Sequence, residues 1–244
     1  MVAMSSMVVA MDIITTNPAR KLAPQVSLMR LLQLVSPNLP IGAFAYSQGL
    51  EQAVELGWLD DEAATAEWLD GVLLHAYSHL EIPLLARCYL AWQQQDMAAV
   101  QYWNGFLLAS RESAELYEED RLLGLNLARL LTDLGLEEAA AFKGQACSLI
   151  TLFALAASRW QIPLLMAAQG LAWSWCENQV AAAIKLVPLG QTAGQRLLSR
   201  LGETACKAVE IGLTVEDEAI GQSAYGVAMV SSWHEHQYSR LFRS

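Results

Sequence analysis

Between Gly144 and Cys176 the chain carries a single charge, Arg159, with uncharged runs of 15 and 17 residues on either side of it. A spanning helix needs about 20 apolar residues, so both runs are too short, and Pro163 interrupts the second. The alternative is a pair of helices buried on nearly every side inside a protein core. A chain with such a centre must surround it with other amphipathic helices. The rest of the sequence supplies them.

Helical spacing recurs along the chain, and strand patterns are scarce. Leu28–Val35 is an apolar run stopped by Ser36-Pro37-Asn38-Leu39-Pro40-Ile41-Gly42, where two prolines and a glycine forbid a helix. Ser47 can cap a short helix that ends near Gly57, and Asp60 or Asp61 caps the next. A further helix starts at Ile82-Pro83, and Asp96 caps one that reaches Ser110. Leu123, Leu127, Leu130 and Leu134 form one stripe at i, i+4, i+7 and i+11, ended by Gly135. Helices follow over about 144–157 and 163–175, then Asn178–Val187. Thr192 and Gln195 read as a capping box opening a helix to Val209. Asp217 and its neighbours introduce the last. The pattern predicts an all-α, single globular domain of about nine or ten helices over 27–232. A flexible N-terminal leader (1–26) precedes it, and a flexible tail (233–244) follows.

The leader holds four of the eight methionines and no Lys or Arg before Arg20, so it lacks the basic start of a secretory signal. Cysteines at 88, 147, 176 and 206 form no CxxC pair and read as free, mostly buried thiols in a reducing compartment. Hydrophobic residues make up 54% of the chain and charged ones 16%, which excludes a disordered acidic linker. A net charge of −10 argues against a nucleic-acid partner. A monomer of this mass exposes about 10,800 Å², so its 15 basic and 25 acidic residues leave about one charge per 270 Å². So sparse a surface implies that other protein covers part of it, in a homo-oligomer or with a stable partner.

Catalytic motifs are thin. No GxxxxGK[ST] loop is present to cradle phosphates, and Gly190-Gln191-Thr192-Ala193-Gly194 has Arg196 as its nearby cation. Asp60-Asp61-Glu62 lacks the carboxylate at the fifth position that an Asp-rich magnesium motif needs, because Ala64 stands there. Acids at a helix start stabilise its dipole and explain themselves. His75 and His79, four apart, could reach one metal but lack a third ligand. His234-Glu235-His236 reads as a polar tail. Glu112, Glu115, Glu118, Glu119 and Asp120 read as a solvated helix face. Two segments suit binding instead: the stiff loop that presents Phe44 and Tyr46, and the tail, where Trp233, Tyr238 and Phe242 alternate with Arg240 and Arg243.

These two segments, with a third between them, resemble the urease accessory protein UreF family. The stretches are SPNLPIGAFAYSQGLE (36–51), ENQVAAAIKLVPLGQTAGQRLL (177–198) and HEHQYSRLFRS (234–244), in that order over nearly the whole chain. The resemblance implies an all-helical, dimeric, non-catalytic protein of the cytoplasm. It further implies partners: UreD/UreH, the GTPase UreG and apo-urease, with nickel handled transiently and GTP bound by the partner. No cofactor would be tightly held, and neither nucleic acid nor membrane is implied. Carried onto this sequence, His234, Glu235, Gln237, Tyr238, Arg240, Phe242 and Arg243 would contact UreD/UreH, the tail folding only when bound. Ser36, Pro37, Pro40, Gly42, Tyr46, Glu51, Lys185 and Gln191 would face the GTPase or the dimer partner. His236 is discounted as a ligand. The rival reading is a helical metal- or isoprenoid-dependent enzyme using His75, His79 and Asp60–Glu62; a membrane-embedded helical protein is a second.

Overall fold

A computed structural model describes residues 23–244. The uncharged centre explains the architecture. Helix α7 (Leu149–Arg159) has nine consecutive buried residues, Ile150 to Ser158, and so has no face that water could use. Its neighbours are α4 (Glu81–Gln94), α6 (Ala114–Asp133), α5 (Met97–Ala109) and the start of α8 (Leu164–Leu186). Helix α8 packs along α9 (Gln191–Gly212), and α3 (Glu62–Gly71) lies against both. Helix α3 continues into a π-helical turn, Val72–Tyr77. The outer elements are α1 (Pro24–Leu34), α2 (Leu50–Glu55) and α10 (Tyr225–His234). Ten α-helices and no strand occur among the described residues, as the helical patterning predicts. No helix among them is long and apolar enough to cross a membrane.

Local chemistry sets most boundaries. Asp61, Asp96 and Ser113 each accept a bond from the backbone N–H three residues on, at 2.8, 3.0 and 3.1 Å, and cap α3, α5 and α6. Pro24 sits in the first turn of α1, where its missing N–H costs nothing. That start lies inside the segment assigned to the leader. Gln95, just past α4, takes the left-handed conformation that ends it.

Four expectations change. Gly49, not Ser47, stands at the N-cap of α2, with no side-chain cap. Helix α8 runs unbroken for 23 residues, because buried Cys176, Gln179 and Val180 keep the helical stripe going past Asn178. Gly190, not Thr192, stands at the N-cap of α9, with no side-chain cap, so the capping box does not form. Asp217–Ala219 is one 3₁₀ turn, and the last helix starts at Tyr225.

Two glycines let helices approach closely. A Cβ on Gly124 would lie 2.0 Å from the carbonyl oxygen of Cys147, so α6 meets the strand of chain entering α7 backbone to backbone. Gly49, at φ +79°, opens α2 beneath α10; a Cβ there would lie 2.7 Å from Val230 Cγ2. Cys88, Cys147 and Cys176 are buried, Cys206 is exposed, and all four are free. Burial pushes the first three thiols up to about 12, which leaves them inert.

Candidate partner-binding site

The C-terminal segment does not hang free: it lies folded on its own domain. Two acids of α6 and one of α2 make a cradle for it. Glu51 accepts the backbone N–H groups of Leu241 and Phe242 at 2.7 and 2.8 Å. His234 is fully buried, with Nδ1 2.6 Å from Glu115 and Nε2 3.4 Å from Glu51. Arg240 donates to the other oxygen of Glu115 at 2.5 Å. Glu119 accepts the Ser244 hydroxyl at 2.7 Å and the Gln48 amide at 2.8 Å. Ser47 donates to the Ser244 carbonyl twice, from its N–H and its hydroxyl, at 2.8 and 2.6 Å.

The loop and the tail therefore form one structure. Arg243 N–H donates to Ala45 carbonyl at 2.9 Å, and Lys185 Nζ lies 5.4 Å from the centre of the buried Phe242 ring. Tyr46 is buried rather than presented; its carbonyl accepts from Asn178 at 3.1 Å. Phe44 is the exposed aromatic of the loop, at 71%. Gly42 takes φ +89°, which lets the chain turn out of the Pro37–Pro40 segment. Ser36 accepts from Asn38 N–H, and Pro37 and Pro40 are exposed at the turn. Gln191 opens α9 on the exposed side, with no hydrogen bond to this cluster among the described residues.

Within the tail, Glu235 accepts the N–H of Ala114 at 2.9 Å and helps cap the start of α6, whose N-cap Ser113 bonds to Ser231 at 2.6 Å. Gln237 donates to Ser239 carbonyl, while its Oε1 is buried with no hydrogen-bond partner. Tyr238, Leu241 and His236 face outward. Trp233, 42% exposed, stacks edge-on to Trp58 at 6.0 Å, and Trp58 lies 6.1 Å from Trp68.

Of the acidic face read as solvated, Glu112 and Glu118 are exposed, whereas Glu115, Glu119 and Asp120 form the floor of the site. Glu119 and Asp120 are buried, and Glu115 is nearly so. Asp120 accepts from Ser148 hydroxyl and Leu149 N–H at 2.9 and 2.8 Å, fixing the start of α7. Arg111 joins Asp120 (3.0 Å) to Glu81 (2.7 Å). Burial alone would weaken Arg111 as a cation, but the two carboxylates outweigh it and raise its pKa. Burial raises Glu81 above the ordinary carboxyl range despite Arg111. Glu119, buried with no cation of its own, is pushed up to about 7 against the pull of Ser244 and Gln48. A cavity of about 400 Å³ opens behind Pro37 and Phe44 and reaches Gln48, Arg111, Glu119 and Asp120.

The metal reading finds no geometry. His75 is exposed and His79 bonds to Ser78, on either side of the end of the π-helical turn. No group of three His, Cys, Asp or Glu side chains among the described residues could hold a metal ion. Asp61 is spent on its cap, and Glu62 pairs with Arg196.

Sequence reasoning missed Arg111, Glu115, Glu119, Asp120, Ser47 and Ser244. A signal existed. Extending the Leu123–Leu127 stripe backward by one turn lands on Glu119 and Asp120, and by two on Leu116, all buried.

Residues 59–202 match the UreF family model. The urease accessory protein UreF of Alkalilimnicola ehrlichii is 56% identical over 222 residues, covering 91% of this chain and 97% of that protein. Those of Chromohalobacter salexigens and Pseudoalteromonas translucida are 46% and 45% identical, each over 94% of this chain and 100% and 99% of their own. The chain belongs to the UreF family of urease accessory proteins.

Proposed function

We propose that this chain is a non-catalytic adaptor of urease maturation in the cytoplasm. It would bridge UreD/UreH and the GTPase UreG, as a homodimer, and tune GTP-dependent nickel delivery to apo-urease. Nickel and GTP would be held by the complex and by the GTPase, not tightly by this chain. The observation that supports the reading is the joining of the loop and the tail into one surface element by Glu51, Glu115 and Glu119. Its outer side carries Trp233, Tyr238, Leu241 and the side chains of Arg240 and Arg243, the residue types that dominate interface energies.

Separate roles follow for its two ends. Trp233, Tyr238 and the arginines would engage UreD/UreH. Phe44, Lys185 and the Pro37–Pro40 turn, on a loop whose shape is fixed before binding, would meet the GTPase or the second copy at little entropic cost. The chain would act on the GTPase by binding one of its conformations better than another.

Removing residues 235–244 tests the first role. Copurification with UreD/UreH should be lost, while the far-ultraviolet helical signal stays within a few per cent of the intact chain. An undiminished pull-down by a helical, truncated chain would contradict the assignment.

A further inference from the structure

We infer that Gln48 is a positioning residue for the docked segment 235–244, its side chain aiming Glu119 at Ser244 from a left-handed backbone. Residues 47–50 make a tight turn, closed by Leu50 N–H to the Ser47 carbonyl at 3.2 Å. Both central residues have positive φ, Gln48 at +54° and Gly49 at +79°. Asn-Gly or Gly-Gly fills such a turn most readily, so Gln at its first central position is the strained choice. Gln95 and Gln161 share the conformation, but both are exposed and follow the ends of α4 and α7. Gln48 is half-buried and follows no helix end.

The side chain accounts for the choice. Its Nε2 donates to Glu119 Oε1 at 2.8 Å, and its Oε1 accepts from Trp175 Nε1 of α8 at 2.8 Å. An indole can only donate, so it fixes the oxygen toward α8 and the amide toward α6. Glu119 takes the Ser244 hydroxyl on its other oxygen, while Ser47 N–H and hydroxyl hold the Ser244 carbonyl. Two adjacent residues of one turn therefore reach the same end of the segment, one directly and one through Glu119. The cavity of about 400 Å³ touches both Gln48 and Glu119, so close packing does not set the direction of the carboxylate. Its two hydrogen bonds do. Asn would ease the backbone, but its side chain, one methylene shorter, cannot reach Trp175 and Glu119 together. The use of the segment in capturing UreD/UreH rests on the adaptor reading; its seat on the domain does not.

Amide hydrogen exchange on the intact chain tests the inference. Gln48→Asn and Gln48→Gly both suit the turn better than the parent residue. In each, protection of 241–243 should nevertheless fall about tenfold or more, the size of one charge-assisted hydrogen bond, while α7 keeps its own. Gln48→Glu sets carboxylate against carboxylate and should lose as much. Adding Glu119→Gln exchanges the two groups and again places a donor opposite an acceptor. Protection should then return to within about threefold of the parent. Copurification with UreD/UreH should follow the same order, since a segment already in place loses less entropy on binding. Protection within about twofold of the parent in Gln48→Asn and Gln48→Gly overturns the inference, because one hydrogen bond to a charged group is worth more than that. So does an equal loss in α7, or a loss in Gln48→Glu that Glu119→Gln leaves unrepaired. Lost protection with undiminished capture upholds the positioning and contradicts the use of the segment in capturing UreD/UreH.

Discussion

Replacing Arg111 with methionine should destabilise the protein by about 3–5 kcal/mol at neutral pH, the penalty for leaving buried charge without its partner. The guanidinium is the bridge between Glu81 and Asp120, and all three side chains are at most 13% exposed. Without it, two carboxylates face each other in the protein interior. For a chain of this length the loss corresponds to roughly 6–20 °C in Tm. Burial already raises the Glu81 carboxyl, so in the variant a fall in pH relieves the repulsion by protonation. The difference from the parent should therefore be smaller at about pH 5 than at pH 7. Adding Glu81→Gln and Asp120→Asn should recover much of the loss, because the charges that needed pairing are gone. Urea unfolding of the three proteins at both pH values checks this. A single variant as stable as the parent at pH 7 would show that the triad is not a paired, buried unit.

Gly124→Ala should cost about 3 kcal/mol or more, an unusually large effect for one methyl group. The added carbon would sit 2.0 Å from Cys147 oxygen, 2.7 Å from its carbon and 2.8 Å from the carbonyl carbon of Ser148. All three are backbone atoms, so no side chain can swing aside. Helix α6 would have to lift off the start of α7, and Asp120 would lose its hold on Ser148 and Leu149. Ala is otherwise the better helix former by about 1 kcal/mol, so the packing term must overcome a gain. The urea midpoint of the variant measures the balance, and a midpoint equal to or above the parent's would contradict the close contact.

The all-helical class was legible because the uncharged segment 144–176 admits few other solutions. Its caps at Asp61 and Asp96 were legible because a capping carboxylate acts within three residues. What stayed hidden depends on distant partners. The Thr192 box looked sound locally, yet Gly190 is the N-cap and Thr192 already lies inside the helix, whose Gly194 meets Ile184 and Val180 of α8. Glu119 and Asp120 look like surface residues by type, and their burial follows from Arg111, Ser148 and Ser244, up to 125 residues away. The docked tail is the same case. An aromatic and arginine-rich end resembles an interface whether it meets another protein or its own domain, and the receiving acids, on α2 and α6, are dispersed in sequence.

The central proposal is that this member of the UreF family bridges other components of urease maturation. Coexpression with UreD/UreH and UreG, followed by size-exclusion chromatography with mass determination, tests it most directly. One peak containing all three components is expected, with UreD/UreH and UreG separating when this chain is left out. If UreD/UreH and UreG elute together without it, or if this chain elutes alone in their presence, the bridging role is wrong.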